Sequence, residues 1–536
     1  MTLTKLIADC GKSALIKPIF FSLLASMFHI GLLVFINAVL ARLISVQPAE
    51  ISGLTGALAL LFGYLVFTRL AMGATAKFCL TAVDSFRMRL VRAALTGSYA
   101  EMNQQQSRLY SAVTKDIVTF SQSIMAATQF VISGLVISGS LLYLATISVG
   151  VFLLICSAIG LSTAIYLVFS HSSVDDIERA RESEEQLFKH TRQLIDGFKE
   201  IVLNRDKGRD LVEKALRSAS ADSVRQSYRG FSGFFNLSVV GQWLFYGVIL
   251  LLLFVGRSGL GLSVAEQVNC IVVTLFIVGP IESVTALIPK LFEGNVAANR
   301  LNHILNAFDN TAATNIATPP QPFDTLRYRE YGYRYDDSTE RGFAVAITDF
   351  ELRKGEITFI YGGNGAGKTT LIYLLLGLLK HQNGSVVLNG RPLTEPLIHH
   401  NLFCSVFSDF HLFDRFYGLT HIEPEQVNQL LQRFELDDKV TFEKDRFSSV
   451  ALSTGQRKRL ALIVALLERR PILVLDEWAA DQDPTFRHTF YSKIIPWLKQ
   501  QGLTVLAVTH DDKYYRCADR LYCMEDGQLT AVNANQ

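Results

Sequence analysis

The run YGGNGAGKTT, Tyr361 to Thr370, follows the apolar stretch EITFI and leads into TTLIYLLLGLL. Gly362, Gly367, Lys368 and Thr369 fit the pattern GxxxxGK[ST], and a strand before with a helix after is the setting a phosphate-binding loop requires. Glycines let backbone N–H groups curl round a polyphosphate without Cβ clashes, and the following helix turns its positive end towards the anion. Gly362, Gly363, Asn364, Gly365, Ala366, Gly367, Lys368, Thr369 and Thr370 are therefore the candidate cradle for a polyphosphate. Lys368 would neutralise the β- and γ-phosphates, and Thr369 would ligate Mg2+.

A second constellation lies at PILVLDEW, Pro471 to Trp478. Four apolar residues ending in two carboxylates predict a buried parallel strand that delivers acids at its C-terminal edge, where open α/β sheets hold their ligands. Asp476 is placed to hold the magnesium, directly or through water, and Glu477 to polarise an attacking water. Between loop and strand, ALSTGQRKRLALIVALLERR predicts an apolar-periodic helix opened by Ser453 and Gly455. Their hydroxyl and backbone N–H could face a γ-phosphate.

These elements sit in the second of two chemically distinct regions. The 536 residues are 49% hydrophobic with a mean hydropathy of +0.26, too apolar for an ordinary soluble enzyme. A formal charge of +2 implies neither a basic nucleic-acid surface nor an acidic tail. Seven cysteines without CxxC pairs exclude a disulfide framework and a zinc site. Six apolar segments in the first 300 residues are long enough to cross a bilayer as helices: about Ile19–Leu40, Ile51–Met72, Ile124–Thr146, Val149–Phe169, Phe234–Val255 and Val268–Leu287.

The alternation of loops orients these spans. Connections such as ISVQPAEIS, TIS and GRSGLGLSVAEQ are short and hold few cations. The two long connections are helix-like and carry Arg87, Arg89 and Arg92, then Arg179, Arg181, Lys189 and Arg192. The positive-inside rule puts these loops and both termini in the cytoplasm. The small polar and proline-containing run NTAATNIATPPQPFD marks a linker over 310–324, between a membrane region over 1–309 and an α/β domain over 325–536. In the fifth span, Phe235, Gln242, Trp243 and Tyr246 fall near one helical face. In the sixth, Glu282 follows Gly279 and Pro280, where a kink is expected.

With the phosphate loop upstream and LDE downstream, Leu452, Ser453, Thr454, Gly455 and Gln456 resemble the LSxGQ signature of the ATP-binding cassette (ABC) family. The resemblance covers nearly the whole chain in domain order. It implies a type I exporter fold, six transmembrane helices fused ahead of one P-loop cassette. It also implies ATP hydrolysis coupled to transport, and nucleotide sandwiched between two cassettes, so that a second copy of the chain completes each site with Ser453, Gly455 and Gln456. Tyr335, in YRY, is similar to the aromatic that stacks on adenine. His510, in TVLAVTHDD, is similar to the switch histidine that meets the γ-phosphate, and Asp483 occupies the D-loop aspartate position.

Two departures stand out. Ser408, in SVFSDFHLFD, replaces the usual Q-loop glutamine and retains a hydroxyl that could ligate metal, and the D-loop reads ADQD rather than SALD. SVFSDFHLF, GQRKRLAL, LDEWAADQDP and VTHDDKYYRCADR together look like the bacterial cyclic-peptide export subfamily, which includes pyoverdine-type siderophore and syringomycin exporters. That implies a homodimer in the bacterial inner membrane, in contact with lipid, moving a peptide-like or siderophore substrate outwards. It also implies cassette-docking helices near 99–105 and 179–188. An importer with exporter architecture shares these motifs. So does an ATP-gated channel or regulatory ABC protein, although retention of Glu477 and His510 speaks for turnover.

Overall fold

A computed structural model describes residues 12–44, 51–309, 322–334, 343–393, 396–419 and 421–532. The chain forms two compact units, Met1–Leu95 with Gln105–Asn310 and Thr96–Gln104 with Thr311–Gln536. Most of the expected linker, and Tyr335 with it, lies outside the described residues.

The chain up to Asp309 is helical: α1 (Lys12–Ile44), α2 (Ile51–Thr96), α3 (Tyr99–Ser111, whose first residues belong to the second unit), α4 (Ile117–Ile147), α5 (Val149–Asp196), α6 (Phe198–Leu203), α7 (Arg205–Asp210), α8 (Arg217–Leu260) and α9 (Val264–Asp309). Among the described residues five stretches are long and apolar enough to cross a membrane: Ile16–Ile44, Gly53–Thr96, Tyr99–Ile147, Val239–Leu260 and Val264–Phe308. The remaining expected span is represented by a shorter apolar run, Val149–Ile165, at the start of α5. Leu33, Leu144, Ile155, Phe245, Leu252 and Val273 meet in the bundle interior. Leu58, Phe62, Leu65, Trp243 and Phe254 stay exposed, as a bundle solvated by lipid tails requires. Hydroxyls in this apolar setting turn back on their own helix: Ser22 Oγ donates to the Pro18 carbonyl at 2.7 Å and Thr274 Oγ1 to that of Cys270 at 2.7 Å.

The turns differ from expectation in an instructive way. The expected connection GRSGLGLSVAEQ shrinks to three residues, because α8 continues to Leu260 and stops only where Gly261 adopts φ +65°. Ser263 then caps α9, accepting from the Glu266 N–H while Glu266 Oε2 accepts from the Ser263 N–H. The expected docking helix at 179–188 lies inside the uninterrupted α5. The chain breaks instead at Gly197 and at Asn204, whose side chain caps α7 by accepting from the Asp206 N–H. The segment expected at 99–105 opens α3, and residues Thr96–Gln104 count with the second unit. There the Tyr99 and Tyr373 rings lie 5.3 Å apart.

Helix α9 runs through both Pro280 and Pro289. The four polar and aromatic residues of the fifth span do not act together. Gln242 is half-buried and donates to Glu282 Oε1 at 2.6 Å, whereas Phe235, Trp243 and Tyr246 are exposed.

Among the described residues of the second unit, twelve strands form a ten-stranded mixed sheet and a hairpin. The strands are β1 (Thr325–Arg334), β2 (Ala344–Arg353), β3 (Ile357–Gly362), β4 (Asn383–Leu388), β5 (Arg391–Pro392), β6 (Phe403–Val406), β7 (Phe442–Glu443), β8 (Arg446–Phe447), β9 (Ile472–Asp476), β10 (Thr504–Val508), β11 (Arg520–Glu525) and β12 (Gln528–Val532). The large sheet runs β5-β4-β1-β2-β12-β11-β3-β10-β9-β6, and its half from β11 to β6 is parallel. The helices are α10 (Lys368–Leu375), α11 (Pro396–His400), α12 (Pro424–Arg433), α13 (Thr454–Leu467), α14 (Pro484–Thr489) and α15 (Ile495–Gln500).

Strands β9 and β10 are buried throughout. Their residues alternate between two cores: Leu473, Leu475 and Val505 join Leu460 and Ile463 of α13, while Ile472, Val474 and Leu506 join Leu371 and Ile372 of α10. Burial on both faces explains why PILVLD and TVLAV read as continuous apolar runs rather than alternating ones.

A buried polar contact in this unit carries a pH dependence. Tyr328 Oη donates to the Leu375 carbonyl at 2.7 Å, so the neighbouring His399 Nε2, 3.0 Å away, supplies the proton of their mutual bond. Burial, reinforced by His400 and His381, pushes His399 from its ordinary 6.5 down to about 4. The unfolded chain then binds more protons than the folded one between these values. The associated stability, roughly 3 kcal/mol, is complete above pH 6.5 and is lost as pH falls towards 4. Melting of the purified chain at stepped pH should show this slope, and His399→Gln, which keeps a donor for Tyr328, should flatten it; an unchanged slope would exclude His399 as its source.

Candidate nucleotide site

Parallel pairing brings the C-terminal ends of β3, β9 and β10 together, with Val508 in register with both Ile360 and Asp476. After β3 the chain turns through the glycine-rich loop into α10. Gly367 sits at the helix N-cap with φ +102°, and a Cβ there would lie 2.6 Å from the Phe343 ring, so only glycine fits. Lys368 is buried, and its Nζ donates to the carbonyls of Gly362 and Gly363 at 3.0 Å each. Gly363, Asn364, Gly365 and Thr369 are exposed, and Gly362, Ala366 and Thr370 half-buried, so the cradle is open to a ligand.

Strand β9 ends in Asp476, fully buried, and Glu477. Glu477 Oε1 lies 3.7 Å from Lys368 Nζ and 3.2 Å from His510 Nε2. A carboxylate after β9, an imidazole after β10 and the ammonium at the start of α10 thus converge. Ser408 Oγ, at the end of β6, donates to Asp476 Oδ2 at 3.0 Å. Burial pushes the Asp476 carboxyl above its ordinary range, with the Ser408 bond opposing. Asp476 Oδ1 is buried without a hydrogen-bond partner, a state that a hard cation would relieve. The oxygen donors of Thr369, Ser408 and Asp476 suit Mg2+.

Ser453 caps α13, accepting from the Gln456 N–H at 3.4 Å while Gln456 Oε1 accepts from the Ser453 N–H at 3.3 Å. Ser453 is exposed. Gly455 passes close to the next loop: a Cβ would meet the Asp481 carbonyl at 2.7 Å. Asp483 caps α14 through the Phe486 N–H at 2.9 Å and pairs with Arg459 at 2.8 Å, and these contacts hold its carboxyl below its ordinary range.

Residues 345–480 match the family model described as ABC transporter. Over 462 residues the chain is 31% identical to the ATP-binding protein SyrD of Pseudomonas syringae pv. syringae, an alignment covering 83% of this chain and 82% of that protein. The chain belongs to the ABC transporter family. It is also 28% identical over 309 residues to the glutathione/L-cysteine transport system ATP-binding/permease protein CydD of Bacillus subtilis, covering 54% of this chain and 52% of the relative. An energy-coupling factor transporter ATP-binding protein, EcfA1 of Oenococcus oeni, is 31% identical over 219 residues, 38% of this chain.

As an ABC transporter with apolar membrane-length helices in the same chain, the protein is a multi-pass membrane protein that couples ATP hydrolysis to transport. The structure brings Lys368, Glu477 and His510 together and sets Ser408 on Asp476. Sequence reading missed Lys458 and Arg459. Both are buried cations in the polar first half of α13, whose second half is apolar, and both reach the 477–483 segment: Lys458 to Glu477 and Asp481, Arg459 to Gln482 and Asp483. The only local signal was the continuation of QRKR into the apolar run LALIVALL, which leaves some of these cations on the buried side of the helix.

Proposed function

We propose that the chain is a homodimeric exporter that drives a peptide-like compound, such as a siderophore or related cyclic peptide, out of the bacterial cytoplasm across the inner membrane. The observation that carries this reading is the division of the nucleotide machinery within one chain. Lys368, Glu477 and His510 converge at the sheet edge, whereas Ser453 stands exposed at the start of α13. A second copy facing the first would bring its Ser453, Gly455 and Gln456 to the γ-phosphate held by the first chain's cradle. The cargo class rests on the likeness of WAADQDP and its companion motifs to cyclic-peptide exporters, and on similarity to SyrD along most of both chains.

In this reading the backbone of 362–370 and Lys368 hold the triphosphate, Tyr335 stacks on the adenine, and Glu477 accepts a proton from the attacking water. His510 orients that water and the γ-phosphate from the other side of Glu477. Mg2+ bound by Thr369, Ser408 and Asp476 would neutralise charge on the phosphates. ATP favours the closed dimer because only there does it touch both chains, and this difference in affinity moves the helices from inward- to outward-facing. Both termini and the two long loops are cytoplasmic.

The test is ATP-dependent accumulation of candidate peptides in inverted membrane vesicles. The native chain should concentrate its substrate inside, and Lys368→Ala should abolish uptake. Accumulation in right-side-out vesicles instead would reverse the direction, and uptake undiminished by Lys368→Ala would remove ATP as the driver.

A further inference from the structure

Glu477 adopts φ +49° and ψ 35°, the left-handed region, which is disfavoured for any residue with a Cβ and most unusual at the end of a buried strand. Something must hold it there. Its N–H donates to the Val508 carbonyl at 3.1 Å, anchoring it to β10. Its own carbonyl accepts from Ala480 N–H at 3.3 Å and from the ammonium of Lys458 at 3.1 Å.

Lys458 lies on α13, is 1% exposed, and places the same Nζ 2.7 Å from Asp481 Oδ2. The indole N–H of Trp478, itself buried, donates to the Lys458 carbonyl at 2.9 Å. One ammonium therefore ties both ends of the short turn from Glu477 to Asp481, and the helix that supplies it is in turn held by the turn's tryptophan. An ammonium suits this place because its donors point in several directions and can serve a carbonyl and a carboxylate at once.

We propose that Lys458 is a positioning residue for ATP hydrolysis, fixing the left-handed backbone that aims the Glu477 carboxylate between Lys368 and His510. The inference rests on Glu477 being the base. Without the ammonium, the carbonyl loses its charged partner and the backbone relaxes towards an ordinary region. That rotation carries the carboxylate away from the reacting water while the phosphate cradle, on a different strand, stays intact. Lys458 should therefore act on turnover and not on nucleotide binding.

Lys458→Met keeps the length of the side chain and removes its donors. In the purified full-length chain it should lower kcat about ten- to a hundredfold with KM for ATP and affinity for a fluorescent ATP analogue unchanged. Lys458→Arg, which keeps a charged donor, should recover part of the rate. Asp481→Asn, cutting the same tie from its exposed end, should lower kcat in the same way and serves if Lys458→Met folds poorly. In Lys458→Met/Glu477→Gln the residual rate should equal that of Glu477→Gln alone, because a residue acting through Glu477 has nothing further to remove. A native kcat in Lys458→Met, an equal loss of ATP affinity, or a further tenfold fall in the double variant would overturn the proposal. Normal turnover in Glu477→Gln would instead remove the base assignment beneath it.

Discussion

Glu477→Gln should bind ATP as tightly as the native chain and hydrolyse it about 10²- to 10⁴-fold more slowly. The amide has nearly the same shape as the carboxylate, so the 3.2 Å approach to His510 survives and the backbone of Glu477 is undisturbed. What it lacks is a basic lone pair able to take a proton. Lys368, now without a carboxylate 3.7 Å away, keeps its carbonyl partners and its full charge for phosphate, so affinity has no reason to fall. Quenched-flow hydrolysis beside equilibrium binding separates the two quantities. A variant that turned over at the native rate would exclude Glu477 as the base.

Mixing two inactive variants should restore activity if nucleotide is shared between chains. Ser453→Glu places a carboxylate where the second copy's triphosphate must lie, and an acid at a helix N-terminus remains compatible with folding. Turnover by Ser453→Glu alone should fall at least about a hundredfold, since repulsion replaces a charge-assisted hydrogen bond. Glu477→Gln alone is equally silent. In a mixed dimer one site combines both lesions, while the other joins an intact Glu477 to an intact Ser453 from the opposite chain. Co-expression with two affinity tags isolates that species, and ATPase activity well above either parent is the expected result. Activity no higher than that of the parents would place Ser453 and Glu477 of one chain on the same nucleotide or show that one intact site is not enough, and either outcome sinks the independent arrangement shared between chains.

Much of the cassette was legible because its chemistry is packed into contiguous residues. The loop from Gly362 to Thr370 works through backbone N–H groups and glycine conformations that any short segment carries with it, and Gly367 at φ +102° is the position such a pattern demands. PILVLD was readable as a buried parallel strand and TVLAV as a further apolar strand from their unbroken apolar runs, and both are buried throughout. The signature helix opens at Ser453, as expected, and the structure adds that Gln456, three residues on, completes a capping box with it.

Helix lengths were less legible. Hydropathy marks the apolar part of a helix and says nothing of how far it continues into polar sequence. Helix α5 therefore runs well past its apolar start to Asp196, and α8 continues to Leu260 and stops at Gly261, whose φ of +65° ends it.

The local sequence determined the phosphate loop, the buried strands, the capped helix and the division into an apolar and a mixed region, since each depends on residues within a few positions of one another. Only the tertiary structure decided that Glu477 meets His510 and Lys368, that Ser408 sits on Asp476, that Gln242 holds Glu282, and that Lys458 reaches back to Glu477 and Asp481. Those contacts join separate strands and helices, and their distances follow from sheet order and helix packing, which no short stretch of chain encodes by itself.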